Sequence, residues 1–433
     1  MKNKNILKYM AFVAFAVNVN ATDIYTVDAL IFKSLENSPS LQISKSRVEA
    51  SKSRYDTAFS GYLPRVDLHA SAGVAGATDI FSASDDMVTD NVMLGSLSAK
   101  QIIYDFGKTS GSVKSSKFTA DAFILQNIQD VSDKKLAVKD AYYSVLNAMA
   151  LITVQKENVK LNHAQLYRSQ RYFEAGIRTK IDVSDAKVTL IQAKIALKNA
   201  EYNLKLTYAN LDEVVGFTGL EQGYKVEKKA LNLENLYASL EIYEFNLRES
   251  IEYAYKNRAI IQKKTKEIDS SQAKITQNSS EYYPSFYADA SYLKQSFDKF
   301  GAFTPENQWQ ANLNLDWNLY QGGASSAREQ ESKINKSIAT ATLTEYKLKI
   351  KKETTQAFIN LYKSKDSVEL SQSLVQVSQE KFEQASKRYE HGLSDYIELQ
   401  QARQGYIDAK AMLVVDYYSY YIAIATLDNA IGK

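Results

Sequence analysis

The 433-residue chain has no cysteine. That excludes disulfides, thiolate metal sites, a cysteine nucleophile and a lipid anchor carried on Cys. Only 4 prolines and 16 glycines interrupt it, so long stretches are free to be helix. Its 3 histidines, His69, His163 and His391, stand apart, without HExxH spacing, and no phosphate loop or Gly-rich dinucleotide turn is present. These absences read against an enzyme, a cofactor or a metal site. Neither charge sign dominates: 53 Lys and Arg stand against 50 Asp and Glu, well mixed, with no nucleic-acid footprint. Asp79, Asp85, Asp86 and Asp90 lack the spacing and the glycine of a calcium loop and are read as keeping a hairpin loop soluble. Beyond the N-terminus there is no apolar run long enough to cross a bilayer as a helix.

What is there begins with MKNKNILKYMAFVAFAVNVNATD, in which lysines precede an apolar run from Ile6 to Val19 and a small-residue pair, Val19 and Ala21. This order predicts a secretory signal peptide over residues 1–21. The competing reading is an uncleaved anchor, against which stand the short run and Asn18 and Asn20.

The chain repeats itself. YFEAGIRTKIDVSDAKVTLIQAK, from Tyr172 to Lys194, aligns without a gap to RYEHGLSDYIELQQARQGYIDAK, from Arg388 to Lys410, 216 residues later. SGYLPRVDLHAS, from Ser60, aligns to SEYYPSFYADAS, from Ser280, at an offset of 220. The organisation expected is an α+β membrane protein of two tandem units, each helix, strand, strand, long helix, helix. Repeat one covers 22–216, with strands at about 62–74 and 92–105, a long helix at about 108–175 and a return helix at about 182–216. A connector fills 217–247. Repeat two covers 248–433, with strands at about 282–294 and 308–320, a long helix at about 324–391 and a return helix at about 395–432.

Two facts argue for the long helices. No Gly or Pro occurs from Ser112 to Ala175 or from Ala324 to His391, and apolar residues recur every seven positions. Ile124, Val131, Val138, Val145, Ile152, Val159, Leu166 and Phe173 form one such row; Leu361, Val368, Val375, Phe382 and Tyr389 form another. In the return helices, large Val183, Leu190, Leu197, Leu204 and Leu211 are partnered three residues on by Ala186, Ala193, Ala200, Thr207 and Val214, which lets antiparallel backbones approach closely.

The strands have two characters. In WQANLNLDWNLY, Trp309, Ala311, Leu313, Leu315, Trp317 and Leu319 share one face, and Gln310, Asn312, Asn314, Asp316 and Asn318 share the other. Segments of this length, alternating and carrying aromatics near their ends, read as transmembrane β-strands. Four of them cannot close a barrel, and an open edge cannot sit in lipid, so the pattern requires several copies to share one barrel.

With YYSVLNAMA from Tyr142, YFEAGIRTKIDVSDA from Tyr172, LYQGG from Leu319 and its weaker counterpart IYDFG from Ile103, the chain resembles the TolC-like outer-membrane efflux protein family. The resemblance implies a homotrimer with a twelve-stranded outer-membrane barrel, continued by a long periplasmic α-helical coiled-coil barrel. It implies an exit duct of a tripartite efflux pump or type I secretion system, passing drugs, small molecules or proteins. The implied partners are a periplasmic adaptor (a membrane fusion protein), an inner-membrane transporter that is ABC or proton-driven, and outer-membrane lipid, with no nucleic acid. Asn318 and the four polar residues before it would then line the barrel lumen. Gly176, Ile177, Gly392 and Leu393 match the family's adaptor-contact turns. Arg178, Asp182 and Asp185 match its periplasmic gate, with a departure: the family pattern holds that set in the second repeat. There this chain has Ser394, Glu398 and Gln401, with Asp395 nearby. Two placements of the gate therefore stand open, beside a third reading in which the acids only suit the helix dipole. The chain stops at Lys433, where many relatives continue into a belt, so the connector is expected to supply most of that belt. The rival function is a structural coiled-coil surface or appendage protein.

Overall fold

The structure, a computed structural model, describes residues 23–78, 87–219, 223–227, 231, 233, 235–297 and 306–433. The expected signal peptide and Asp79, Asp85 and Asp86 lie outside the described residues. In chain order the elements are β1 (Asp23–Tyr25), α1 (Val27–Asn37), α2 (Pro39–Phe59), β2 (Arg65–Thr78), β3 (Met87–Tyr104), α3 (Lys108–Glu174), α4 (Lys180–Val215) and β4 (Tyr224–Val226). Then follow α5 (Leu247–Asn257), α6 (Ala259–Ser279), β5 (Ser285–Phe297), β6 (Asn307–Asp316), α7 (Ala324–Glu390) and α8 (Tyr396–Ile431). The rare breakers mark the joints. Pro64 and Pro284 stand directly before β2 and β5, and Gly107, Gly176, Gly216, Gly323, Gly392 and Gly432, all at positive φ, stand at helix ends.

The chain forms two compact units that cut across the sequence repeats. One holds the described residues within Met1–Asn37 and Ala141–Asn232, the other those within Ser38–Asp140 and Leu233–Lys433. In the first, β1 pairs in parallel with β4, and Tyr25, Tyr208, Tyr224 and Phe217 stack around the pair. Leu30, Leu211 and Val215 are buried in the same unit, as are Ala186 and Leu190 farther along α4. The Tyr224 hydroxyl, 2.6 Å from Asp212, ties this small sheet to α4.

In the second unit α7 and α8 form an antiparallel hairpin. Leu361, Val368, Val375, Ala385 and Tyr389 are buried along α7, and Leu399, Ala402, Leu413, Tyr420 and Leu427 along α8. At 1.5 Å per residue the 67 residues of α7 extend about 100 Å. The second part of the connector, from Leu236, lies on the same hairpin. The Tyr237 amide donates to Gln372 at 2.8 Å, the Tyr243 hydroxyl to Asp428 at 3.2 Å, and the Tyr420 hydroxyl to the Glu241 carbonyl. A capping box between Asn246 and Glu249 then starts α5. Arg258, almost buried, pairs with Glu353 at 2.6 Å, joining the α5–α6 corner to α7.

The same unit carries a four-stranded antiparallel sheet in the order β2-β3-β5-β6, with a bulge between Ile102 and Tyr104. Strand ends depart from expectation. β2 begins at Arg65, because Tyr62 lies in a 3-10 turn, and β6 ends at Asp316, not near 320. Asn318 is therefore not on a strand. The Trp317 indole donates to the Tyr282 carbonyl at 3.1 Å, and Gly322 and Gly323 take positive φ, so the chain has left the ladder to turn into α7.

Candidate functional site

The ladder register lays out both faces of the sheet. Opposed residues share a face. One face carries the rows Tyr104, Phe286, Leu315; Val66, Ala99, Ala290, Ala311; and Leu68, Leu97, Tyr292, Trp309. Leu68, Leu313 and Trp309 are more than 70% exposed there, so among the described residues no helix covers them. The opposite face carries Arg65, Lys100, Asp289, Asn312 and Asp67, Ser98, Ser291, Gln310. On it Asp289 accepts from Asn312 at 3.1 Å and also from Asn314, and the Lys100 ammonium sits 3.7 Å from the centre of the Tyr287 ring. Gln310, Asn312, Asn314 and Asp316 thus fall on one wet face. The outer edges of β2 and β6 have no paired strand among the described residues.

A polar junction ties the sheet to the long helices. Asp105 accepts from the Thr109 amide at 2.7 Å and from its hydroxyl at 2.5 Å, capping α3. Arg328 of α7 donates from Nε and Nη2 to Glu281, at 2.9 and 2.6 Å, which holds the Glu281 carboxyl below its ordinary pKa. Asn318 lines a cavity of about 130 Å³ here with Asp105, Lys108, Glu281, Asp316 and Arg328, so its place is this junction.

The two helix turns are built alike. Gly176 and Gly392 have φ of 73° and 75°. The Ile177 amide donates to the Tyr172 carbonyl and the Leu393 amide to that of Arg388, each at 2.8 Å, which closes Schellman turns. Ile177 and Leu393 are held out to solvent, 65% and 69% exposed. The acids differ. Asp395 is spent as an N-cap, accepting from the Glu398 amide at 2.8 Å, and Glu398 pairs with Arg388 at 3.2 Å. At the other turn Thr179 is the cap, and among the described residues no ion pair engages Asp182 or Asp185. Both are half-buried, as is Arg178. Arg388 escaped the sequence reading because its match in the first repeat is Tyr172; an Arg in the last turn facing a Glu in the next first turn was the available signal.

Among the described residues no helix is long and apolar enough to cross a membrane, which says nothing of strands. The model of the family described as outer membrane efflux protein matches residues 30–217 and again 250–433. The chain belongs to the outer membrane efflux protein family. Its members are outer-membrane proteins and not enzymes. This efflux-family chain is 25% identical to the outer membrane protein TolC of Escherichia coli K12 over 198 residues, 44% of the chain and 40% of that relative. It is 26% identical to protein CyaE of Bordetella pertussis over 180 residues, 42% of the chain and 37% of the relative. The matched segments thus span about two fifths of these curated relatives. Among solved structures, the CmeC outer membrane channel of Campylobacter jejuni superposes with a TM-score of 0.81 at 16% identity, covering 100% of this chain and 94% of that one. The open state of the MtrE outer membrane channel of Neisseria gonorrhoeae gives 0.77 at 15% identity, covering 94% and 88%. At such identities the likeness is one of fold.

Proposed function

We propose that three copies of this chain join their sheets into one twelve-stranded barrel in the outer membrane and their long helices into a periplasmic conduit. Small molecules or proteins leave through it. The observation that carries this reading is the sheet: one face greasy, the other wet, neither covered, and both edges open. Lipid outside, water inside and a neighbouring copy at each edge satisfy all of these at once. Each tandem repeat contributes one hairpin and one helix pair per copy. Energy comes from an inner-membrane transporter, and the exposed Ile177 and Leu393 on their Gly176 and Gly392 turns are the contacts for a periplasmic adaptor. The test is the purified chain in planar bilayers, beside heat-modifiability on a gel. A conducting, heat-modifiable oligomer is expected; a non-conducting monomer would overturn the reading.

The gate belongs to the first repeat in this proposal. Asp182 and Asp185 are the acids without ion-pair partners, whereas Asp395 and Glu398 are engaged within their own hairpin. Three copies would bring six carboxylates around one axis, and like charges at close range favour a bound cation. Multivalent cations added from the periplasmic side should block conductance. Asp182→Ala with Asp185→Ala should abolish that block, and Arg178→Ser should raise conductance by loosening the closed turn. Block that survives the double change but is lost with Glu398→Ala would move the gate to the second repeat.

A further inference from the structure

Two short extended segments of the chain leave backbone edges open. In the small sheet β4 is covered on its far side, where the Val226 amide donates to the Tyr208 hydroxyl at 3.4 Å. β1 is not. The Glu227 amide donates to the Tyr25 carbonyl, so Asp23 and Tyr25 turn toward β4, while the amide and carbonyl of Ile24 face the other edge, where no strand is paired among the described residues. Ile24 is itself 66% exposed. The second segment is the connector from Glu241 to Phe245, bracketed by extended backbone at Leu240 and Asn246. Tyr243 turns inward to Asp428 and Phe245 to Tyr253, which leaves Ile242 and Glu244 facing out, Ile242 at 88% exposure. Among the described residues, none of the amides from Glu241 to Phe245 donates to a backbone carbonyl.

Level and direction fit the two together. Asp212, which holds Tyr224, and Asp428, which holds Tyr243, stand 216 residues apart, the same offset that separates the turn glycines Gly176 and Gly392. In a conduit whose two turns share one end, both anchors lie at one level. β4 descends α4 toward its turn, with Tyr224 at Asp212 and Val226 at Tyr208, and β1 runs parallel to it. The connector climbs the other way, from the Tyr237 amide at Gln372 to the Tyr243 hydroxyl at Asp428. The Thr354 hydroxyl, donating to the Ala430 carbonyl, sets the level of Asp428 far from Gln372 on the side away from the turn. Lying along the conduit axis with alternate side chains in and out, the segment points its free backbone groups sideways around the belt. Charge agrees. Lys33 and Lys225 flank β1, Glu241 and Glu244 flank Ile242, and among the described residues none of the four is in an ion pair.

Resting on the three-copy reading above, we propose that the connector of one copy adds to the β1 edge of its neighbour as an antiparallel strand, Ile242 beside Ile24. Each junction around the belt then holds a three-stranded sheet. A second copy is the occupant because the chain's own β1 pairs with β4 alone among the described residues, and because every copy carries both the open edge and the strand that fits it. Strand addition supplies main-chain hydrogen bonds, and the two isoleucines with the opposite charges beside them fix the register. The belt thus clasps the copies between barrel and turns, at a place separate from both.

The absence of cysteine makes the test clean. Two full chains with different tags, one Ile24→Cys and the other Ile242→Cys, are produced together, and their oligomer is treated in the outer membrane with a short bismaleimide. A covalent dimer carrying both tags is expected on a denaturing gel. Moving the first cysteine to Phe32, 62% exposed on α1, should lower its yield severalfold. Ile242→Pro removes the amide that faces Ile24 in this register, so it should lower the temperature at which the heat-modifiable oligomer dissociates, while Ile242→Val leaves it in place. A two-tag dimer no more abundant than with Phe32→Cys, linkage only within a chain that carries both cysteines, or an unmoved dissociation temperature in Ile242→Pro overturns the inference. Conductance separates the two readings: a conducting oligomer without the two-tag dimer sinks this inference alone, and the absence of any oligomer sinks the three-copy reading and this inference with it.

Discussion

At the scale of residues, charge is decided by who already has a partner. Tyr142 is buried, and its hydroxyl lies 3.4 Å from the Glu227 carbonyl. Burial first, then the charge of Glu227, pushes it up to about 12 from an ordinary 10. Because the folded value is the higher, the stability linked to it is full below the unfolded pKa and is lost as pH climbs from 10 to about 12. Tyr142→Phe should therefore move the alkaline unfolding midpoint upward in far-UV circular dichroism; an unmoved midpoint would refute the linkage. Glu398→Gln removes an ion pair whose members are 55% and 44% exposed, so it should change stability by only about 0–1 kcal/mol and leave cation block intact. Of the candidate site, the turn glycines were legible, since a Gly after a long breaker-free helix calls for a left-handed residue. The pairing of Arg388 with Glu398 was not, because it depends on how the hairpin folds back.

At the scale of elements, the long helices were legible because they lack breakers and keep a seven-residue row. Strand ends were not, because alternation in WQANLNLDWNLY runs on past Asp316 while the ladder stops there. Gly111 is a second illegible point. It lies inside α3, where glycine is a poor helix former, yet a Cβ there would stand 2.6 Å from the Gln277 amide nitrogen and 2.8 Å from the Ala273 carbonyl oxygen of α6. Backbone cannot yield as a side-chain tip can. Gly111→Ala should thus destabilise by about 1–3 kcal/mol despite the better helix propensity of Ala, seen as a lowered denaturant midpoint. A raised midpoint would show that α3 and α6 separate freely.

At the scale of the whole molecule, the sheet's two faces make opposite demands. Leu313 is 73% exposed on the greasy face, and Asn314 lies on the wet one. Leu313→Arg should cost about 2–4 kcal/mol of barrel stability and deplete the heat-modifiable oligomer, while Asn314→Ser leaves its amount near normal. Equal loss in both would remove the distinction between lipid and water that the proposal needs.

The two sheet edges that have no paired strand among the described residues have a further meaning in time. If three copies share one barrel as proposed, a newly made copy cannot finish that barrel alone, its folding becomes a meeting among three molecules, and the rate of that meeting falls steeply as copies become scarce. While waiting, each edge is a template for the wrong strand. Slow synthesis should accordingly yield disproportionately little mature channel, with the shortfall lost to periplasmic proteases, and a chain that joined two protomers in tandem would escape part of that penalty.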